Sequence, residues 1–220
     1  MRRADVRTAM GLYFIMGTPN VHNQEPLAVL EAALRGGITC FQLREKGENA
    51  LQGDALLGFA KKCQALCRLY RVPFIINDDV NLALALNVDG VHVGQDDEQA
   101  ALVRKRIGPD KWLGVSAHNL DEMKLAEAIG ADYVGIGPVY PTATKLDASV
   151  VVGPELIGEM RSAFPDMPIV GIGGISLANL IPALHAGADG VAVISAIASA
   201  ENPQEAAKSF SKEITLILNK

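Results

Sequence analysis

Gly130-Ala131-Asp132-Tyr133-Val134 returns later in the chain as Gly187-Ala188-Asp189-Gly190-Val191, and Val88-Asp89-Gly90-Val91 echoes both. Gly36-Gly37-Ile38 is a fourth variant. Glycine accepts the left-handed backbone that closes a helix, so the repeat marks turns where a helix ends and a strand begins. Its expected role is structural, at the bottom of a sheet, with no chemistry of its own.

Working outward from these turns, short β-branched or apolar runs alternate with longer amphipathic ones. The strand candidates are 12–16, 38–43, 74–76, 90–93, 112–115, 133–136, 169–172 and 190–194. Helical patterns lie between them, such as Leu27, Leu30, Ala33 and Leu34 before Gly36-Gly37, or Leu102, Val103 and Ile107 before Gly108-Pro109. Eight strand-helix units leave two architectures, an open doubly wound sheet or a closed barrel. An even series of eight short units without a long interruption favours the α/β class and a parallel (β/α)8, or TIM, barrel, with residues 1–220 forming one domain. Function then belongs to the loops at the C-terminal ends of the strands, which form the active face of such barrels.

Composition narrows the functional classes. The chain has 220 residues, 49% hydrophobic and 20% charged, enough to bury one large core. A net charge of -5 argues against nucleic acid or an anionic membrane as the main partner, so any anion site must be local. Cys40, Cys63 and Cys67 are odd in number and lack a disulfide-framework spacing, which points to a reducing, cytoplasmic compartment and to packing cysteines. Arg2 and Arg3 precede an apolar run from Met10 to Met16 that is too short for a signal peptide and lacks a small-residue cleavage site. No stretch approaches the ~18 apolar residues of a membrane span.

The chemistry-bearing residues gather at the predicted strand ends. After the second strand, period-two alternation sends Gln42, Arg44 and Lys46 to one side and Phe41 and Leu43 to the other. The apolar pair suits the helix layer, so the polar trio is expected at the barrel mouth. The third strand ends in Asn77-Asp78-Asp79 and the fourth in Gly94-Gln95-Asp96-Asp97. Adjacent tips let carboxylates converge on one magnesium ion, although each pair also supplies a helix N-cap, so that one aspartate of each pair can cap while the other binds metal. Ser116, after the fifth strand, can donate to a phosphate oxygen or cap the next turn. His118 is a candidate acid or base, whereas His92 reads as a hydrogen-bonded interior histidine. The long irregular stretch 137–153 carries Thr142, Thr144 and Lys145, a plausible anion clamp on a lid or else a solvated loop. Gly173-Gly174 after strand seven and Ile194-Ser195 after strand eight occupy the positions where barrels of this kind often bind phosphate; a plain tight turn is the alternative for the glycines. A diphosphate of about three negative charges plus two aspartates gives about -5, and magnesium with Arg44, Lys46 and Lys145 gives about +5, a neutralised site suited to moving charge.

Taken together, Gln42-Leu-Arg44-Glu-Lys46, Asn77-Asp78-Asp79, Gly94-Gln95-Asp96-Asp97, Gly114-Val-Ser116-Ala-His118, Thr142-Ala-Thr144-Lys145, Gly171-Ile-Gly-Gly174-Ile and Ile194-Ser195 resemble the thiamine phosphate synthase family, in the family's order from about Leu12 to Glu213. The resemblance implies condensation of 4-amino-5-hydroxymethyl-2-methylpyrimidine diphosphate with hydroxyethylthiazole phosphate, releasing pyrophosphate. It also implies that Gln42, Arg44, Lys46, Asn77, Ser116 and Lys145 hold the pyrimidine diphosphate, with Arg44, Lys46, Ser116 and Lys145 the catalytic set. Asp78 and Asp97 would hold magnesium, and Thr142, Thr144, Gly174, Ile194 and Ser195 the thiazole phosphate. The partners are then small phosphorylated molecules. Two rival readings are a thiazole tautomerase, which needs an acid or base such as His118 and no diphosphate site, and a non-catalytic sensor, which would keep the glycine-rich loops and lose the magnesium pair.

Overall fold

The computed structural model describes residues 3–95, 99–142 and 150–218, with the side chains of Arg3 and Ala4 left aside. Its eight strands are β1 (Leu12–Met16), β2 (Cys40–Leu43), β3 (Phe74–Asn77), β4 (Gly90–Val93), β5 (Trp112–Ala117), β6 (Tyr133–Ile136), β7 (Ile169–Ile172) and β8 (Gly190–Val193). They pair in parallel in sequence order, and β1 pairs with β8, so the sheet is a closed barrel. The helices are α1 (Arg3–Ala9), α2 (Pro26–Arg35), α3 (Gly53–Tyr70), α4 (Val80–Leu86), α5 (Ala100–Ile107), α6 (Leu120–Ala128), α7 (Glu155–Ala163), α8 (Leu180–His185), α9 (Ser195–Ala198) and α10 (Pro203–Leu218). The barrel expected from the strand series is therefore the one observed. Among the described residues no helix is long and apolar enough to cross a membrane.

The repeat that opened the sequence acts as a latch. Gly37, Gly130 and Gly187 take φ of 93°, 74° and 106°, and Asn87 takes the same place before Val88 with φ 49°. The residue just before each even-numbered strand then binds the odd-numbered strand that precedes it. Thr39 Oγ1 accepts the Leu12 N–H, Asp89 Oδ2 that of Phe74, Asp132 Oδ2 that of Leu113 and Asp189 Oδ2 that of Ile169, all at 2.8 Å. Each latch residue returns its own N–H to the carbonyl of the same strand residue. Strand ends that would otherwise lack partners are thus satisfied on the face opposite the active loops. Arg104 and Arg161 bind Asp132 and Asp189, and each also donates to surrounding turn carbonyls. Using Ile38 and Thr39 in this turn is why β2 begins at Cys40 rather than at Ile38.

Both faces of every strand are covered, as parallel strands require. Outside the barrel, Phe14, Phe41 and Phe74 lie in register across β1, β2 and β3 and are fully buried, with Phe41 and Phe74 stacked at 5.8 Å. Burial of each ring contributes about 2–3 kcal/mol. Inside, Tyr13, Ile15, Cys40, Ile75, Trp112, Tyr133, Val170 and Ala192 form a second cluster. Helix α1 is not among the elements expected from the sequence; its Val6 and Ala9, with Met10 after it, pack into that cluster and close the bottom of the barrel. The three cysteines are buried and unpaired, and burial pushes their thiols well above the ordinary range.

Candidate active site

A cavity of about 550 Å³ opens at the C-terminal end of the barrel. From β2 it receives Gln42, Arg44 and Lys46, while Phe41 and Leu43 are buried in the helix layer, the division that alternation predicts. Asn77 and Ser116 complete this side. Across from them, the β6, β7 and β8 loops contribute Thr142, Gly174, Ile194 and Ser195. All the expected substrate residues within the described chain therefore meet at one opening. Thr144, Lys145 and Asp97 lie outside the described residues, as do Asp96 and the centre of the expected lid.

The loop after β2 is anchored by the residue between its two cations. Glu45 takes the N–H of Thr18 (2.9 Å), its hydroxyl and the N–H of Leu51 (3.1 Å). The carboxylate is thereby committed to the loops around the mouth. Arg44 and Lys46 lie on either side of it in the chain and line the cavity.

Asp78 stands apart from the main cavity. It lines a neighbouring hollow of about 300 Å³ that shares Lys46 and Asn77 with the larger one. Its φ of 60° is uncommon for a residue with a side chain, and strain of this kind concentrates at functional sites. The Asp78 N–H donates to the His92 carbonyl (2.9 Å), which fixes this backbone against the end of β4. Its carboxylate accepts from Asn77 Nδ2 (2.6 Å) and makes an ion pair with the Lys46 ammonium. The next residue, Asp79, caps α4 through the Leu82 N–H (2.8 Å). The two roles open to this pair are thus divided, capping for Asp79 and a cation-bound carboxylate for Asp78. A hard oxygen already holding a cation suits magnesium, which accepts one or two carboxylates together with phosphate oxygens.

Ser116 is not a cap, because Asn119 caps α6 through the Glu122 N–H (2.9 Å). Its hydroxyl instead meets His92 Nε2 at 3.1 Å, so His92 is the hydrogen-bonded interior histidine expected. His118 lines the cavity with Nδ1 3.0 Å from Glu122 Oε2.

The glycines after β7 have a second reason to be there. Gly173 and Gly174 have φ of 95° and 63°, and a Cβ on either would run into Pro138, Tyr140 or Pro141 of the β6 loop. That loop docks by hydrogen bonds from the Val139 N–H to the Ile172 carbonyl and from the Tyr140 N–H to the Gly173 carbonyl. The Val152 N–H closes its base on the Pro138 carbonyl. Docking of the β6 loop thus by itself requires residues without side chains at both positions.

Sequence reading missed the floor of the cavity, where Tyr13, Ile15, Val170, Ile172 and Ala192 lie. Inward-facing glycines at Gly114 and Gly135 were the available signal, since a strand omits side chains where another group needs the room.

Comparison with known proteins bears directly on this site. The family model described as thiamine monophosphate synthase matches residues 12–197. The chain belongs to the thiamine monophosphate synthase family. The thiamine-phosphate synthase of Bacillus licheniformis is 55% identical over 209 residues, 95% of this chain and 92% of that protein. The thiamine-phosphate synthase of Geobacillus kaustophilus is 53% identical over 211 residues, covering 96% and 94%. Among solved structures, thiamine phosphate pyrophosphorylase from Pyrococcus furiosus superposes with a TM-score of 0.87 at 33% identity, over 97% of this chain and 99% of that one. Membership of the thiamine monophosphate synthase family at this level makes the chain a transferase of thiamine biosynthesis.

Proposed function

We propose that the cavity joins 4-amino-5-hydroxymethyl-2-methylpyrimidine diphosphate to hydroxyethylthiazole phosphate, forming thiamine phosphate and pyrophosphate, and that the chain acts as one domain. The carrying observation is the two-sided cavity, with Gln42, Arg44, Lys46, Asn77 and Ser116 on one wall and Thr142, Gly174, Ile194 and Ser195 on the other. One wall suits a diphosphate-bearing ring and the other a monophosphate. Its volume falls within the usual range for small-molecule sites.

The reaction requires no protein nucleophile. The C–O bond to the diphosphate breaks and its electron pair leaves with pyrophosphate. The aminopyrimidine carries the resulting methylene cation, and the thiazole nitrogen lone pair forms the new C–N bond. Arg44 and Lys46, with Lys145 from outside the described residues, receive the charge that builds on the leaving group. Gln42 and Asn77 orient the pyrimidine, and Ser116 donates to the diphosphate. Thr142, Thr144, Gly174, Ile194 and Ser195 seat the thiazole phosphate so that its nitrogen faces the cation. Asp78 and Asp97 would hold magnesium, which would supply Lewis-acid neutralisation of the diphosphate. Apolar floor residues such as Ile15 and Val170 limit the water that could capture the cation.

The test mixes purified protein with both substrates and follows pyrophosphate and thiamine phosphate, with and without a chelator. Product should form only with magnesium, and Asp78→Ala should abolish turnover while leaving the fold intact. Full activity in Asp78→Ala would remove the metal assignment. No product from the wild type with magnesium would remove the reaction itself.

A further inference from the structure

His92 and Tyr133 meet over a residue without a side chain. In the sheet, Gly114 is the partner of His92 on one side and of Tyr133 on the other. A Cβ on Gly114 would collide with the Tyr133 hydroxyl and with His92 Nδ1. Because the space is empty, His92 Nδ1 lies 3.2 Å from the Tyr133 hydroxyl. That hydroxyl lies 2.8 Å from the Tyr13 hydroxyl across the barrel, and Gln42 Nε2 donates to Tyr13 at 2.6 Å. At the other end, His92 Nε2 reaches Ser116 Oγ at 3.1 Å. Five side chains from five strands thus form one partly buried chain whose two ends, Gln42 and Ser116, both line the cavity.

The chain has a direction. An amide nitrogen only donates, so Tyr13 accepts from Gln42 and passes its own hydrogen to Tyr133. Tyr133 then donates to His92 Nδ1, which leaves the imidazole hydrogen on Nε2 to be given to Ser116 Oγ. The Ser116 hydrogen is released to an acceptor in the cavity, and Gln42 is left with its carbonyl oxygen to offer there. With the Gln42 amide nitrogen facing Tyr13, running the chain backwards from Ser116 would leave the Tyr13 hydrogen with only the weak sulfur acceptor of Cys40. Burial holds both phenols well above their ordinary range, so each keeps the hydrogen the chain needs.

We propose that His92 is a positioning residue for the reaction: through this one-way chain it holds the Ser116 hydroxyl as a donor to the diphosphate and couples that role to the orientation of Gln42. The inference rests on the reaction proposed above. It assigns His92 no contact with a reacting atom. On this proposal a carbonyl presented by Gln42 would favour a ring bearing an amino group over one bearing an oxo group at that place.

A double-mutant cycle tests it. The variants are His92→Phe, Ser116→Ala and the pair, with kcat and KM for the pyrimidine diphosphate and calorimetric affinity for inorganic pyrophosphate with magnesium as readouts. His92→Phe is expected to lower kcat/KM about tenfold, the effect of one misdirected hydrogen bond to a charged oxygen. In the Ser116→Ala background it should cost less than about twofold, because the group it orients is gone. His92→Gln, whose amide can still donate toward Ser116, should recover most of the loss. Pyrophosphate affinity should show the same non-additivity. Losses that multiply in the double variant, or a His92→Gln variant as poor as His92→Phe when both unfold cooperatively near the wild-type temperature, would overturn the proposal. If His92→Phe gives no cooperative transition, Tyr133→Phe replaces it in the cycle, since it deletes the oxygen that feeds Nδ1. A wild type that binds pyrophosphate but makes no thiamine phosphate would fail the reaction, while the pyrophosphate cycle would still judge the chain.

Discussion

Replacing Asp189 by alanine removes the least exposed of the three aspartate latches that tie even-numbered strands to odd-numbered ones. Its carboxylate accepts the Ile169 N–H at 2.8 Å and the Arg161 guanidinium at 2.6 Å, and Arg7 lies 3.2 Å from the other oxygen. The side chain is 11% exposed, so water replaces few of these contacts. A lost neutral hydrogen bond costs about 1 kcal/mol and a charge-assisted one about 1.5–3 kcal/mol. Arg161 keeps its bonds to the Gly187, Pro165 and Met167 carbonyls, which limits the loss to about 3 kcal/mol. For a chain of this size that is a fall in Tm of about 6–12 °C. Asp132→Ala removes the equivalent Leu113 and Arg104 bonds at a more exposed position, 25%, and should cost about 2 kcal/mol. Asp89→Ala, which strips one N–H bond from an exposed residue, should cost about 1 kcal/mol. Thermal unfolding of the three variants measures the order, and steady-state kinetics at 25 °C should stay within about twofold of wild type. Equal shifts in all three, or a kcat/KM that collapses in a variant still folded at the assay temperature, would rule out a purely structural role graded by burial.

Gly114→Ala places a methyl group where the Tyr133 hydroxyl and His92 Nδ1 meet, and should cost about 1–3 kcal/mol of stability together with a loss of kcat, read by melting and pyrophosphate release. Lys46 and a divalent ion compete for the Asp78 carboxylate, so Lys46→Met should raise the substrate-free affinity for manganese about twofold to fivefold in a spin-resonance titration while lowering turnover. An affinity that falls instead would show that Lys46 is not a competitor there. Burial raises the thiols of Cys40, Cys63 and Cys67 and the phenols of Tyr13 and Tyr133, so the folded chain keeps protons that the unfolded chain releases from about pH 9.0 for thiols and 10.0 for phenols. Stability from these groups is therefore complete below pH 9 and declines as pH rises, by up to about 1.4 kcal/mol per unit for each group. Melting curves between pH 7 and 11 check the sign, and a level Tm throughout would contradict it.

Much of the site was legible because strand side chains alternate. Gln42, Arg44 and Lys46 could be assigned to the mouth, and Phe41 and Leu43 to the helices, from period two alone. The choice between Asp78 and Asp79 was not legible in that way. Both have the same side chain, and only the backbone turn at φ 60° sends one to Lys46 and leaves the other to cap α4. α1 also left no trace, since its seven residues have too short a period to read and are placed by the plug they form under the barrel.

The alternation of strands and helices, the turns that join them and the set of polar residues at the strand ends can all be read along the chain, because each is encoded within a few neighbouring positions. The rest depends on contacts between distant segments. Closing β8 onto β1 brings Tyr13 across to Tyr133, and the missing side chain at Gly114 lets His92 reach them, so that residues far apart in the chain share one line of hydrogen bonds. Direction along that line depends on every donor having an acceptor among the neighbouring side chains, a condition that exists only once the barrel is closed.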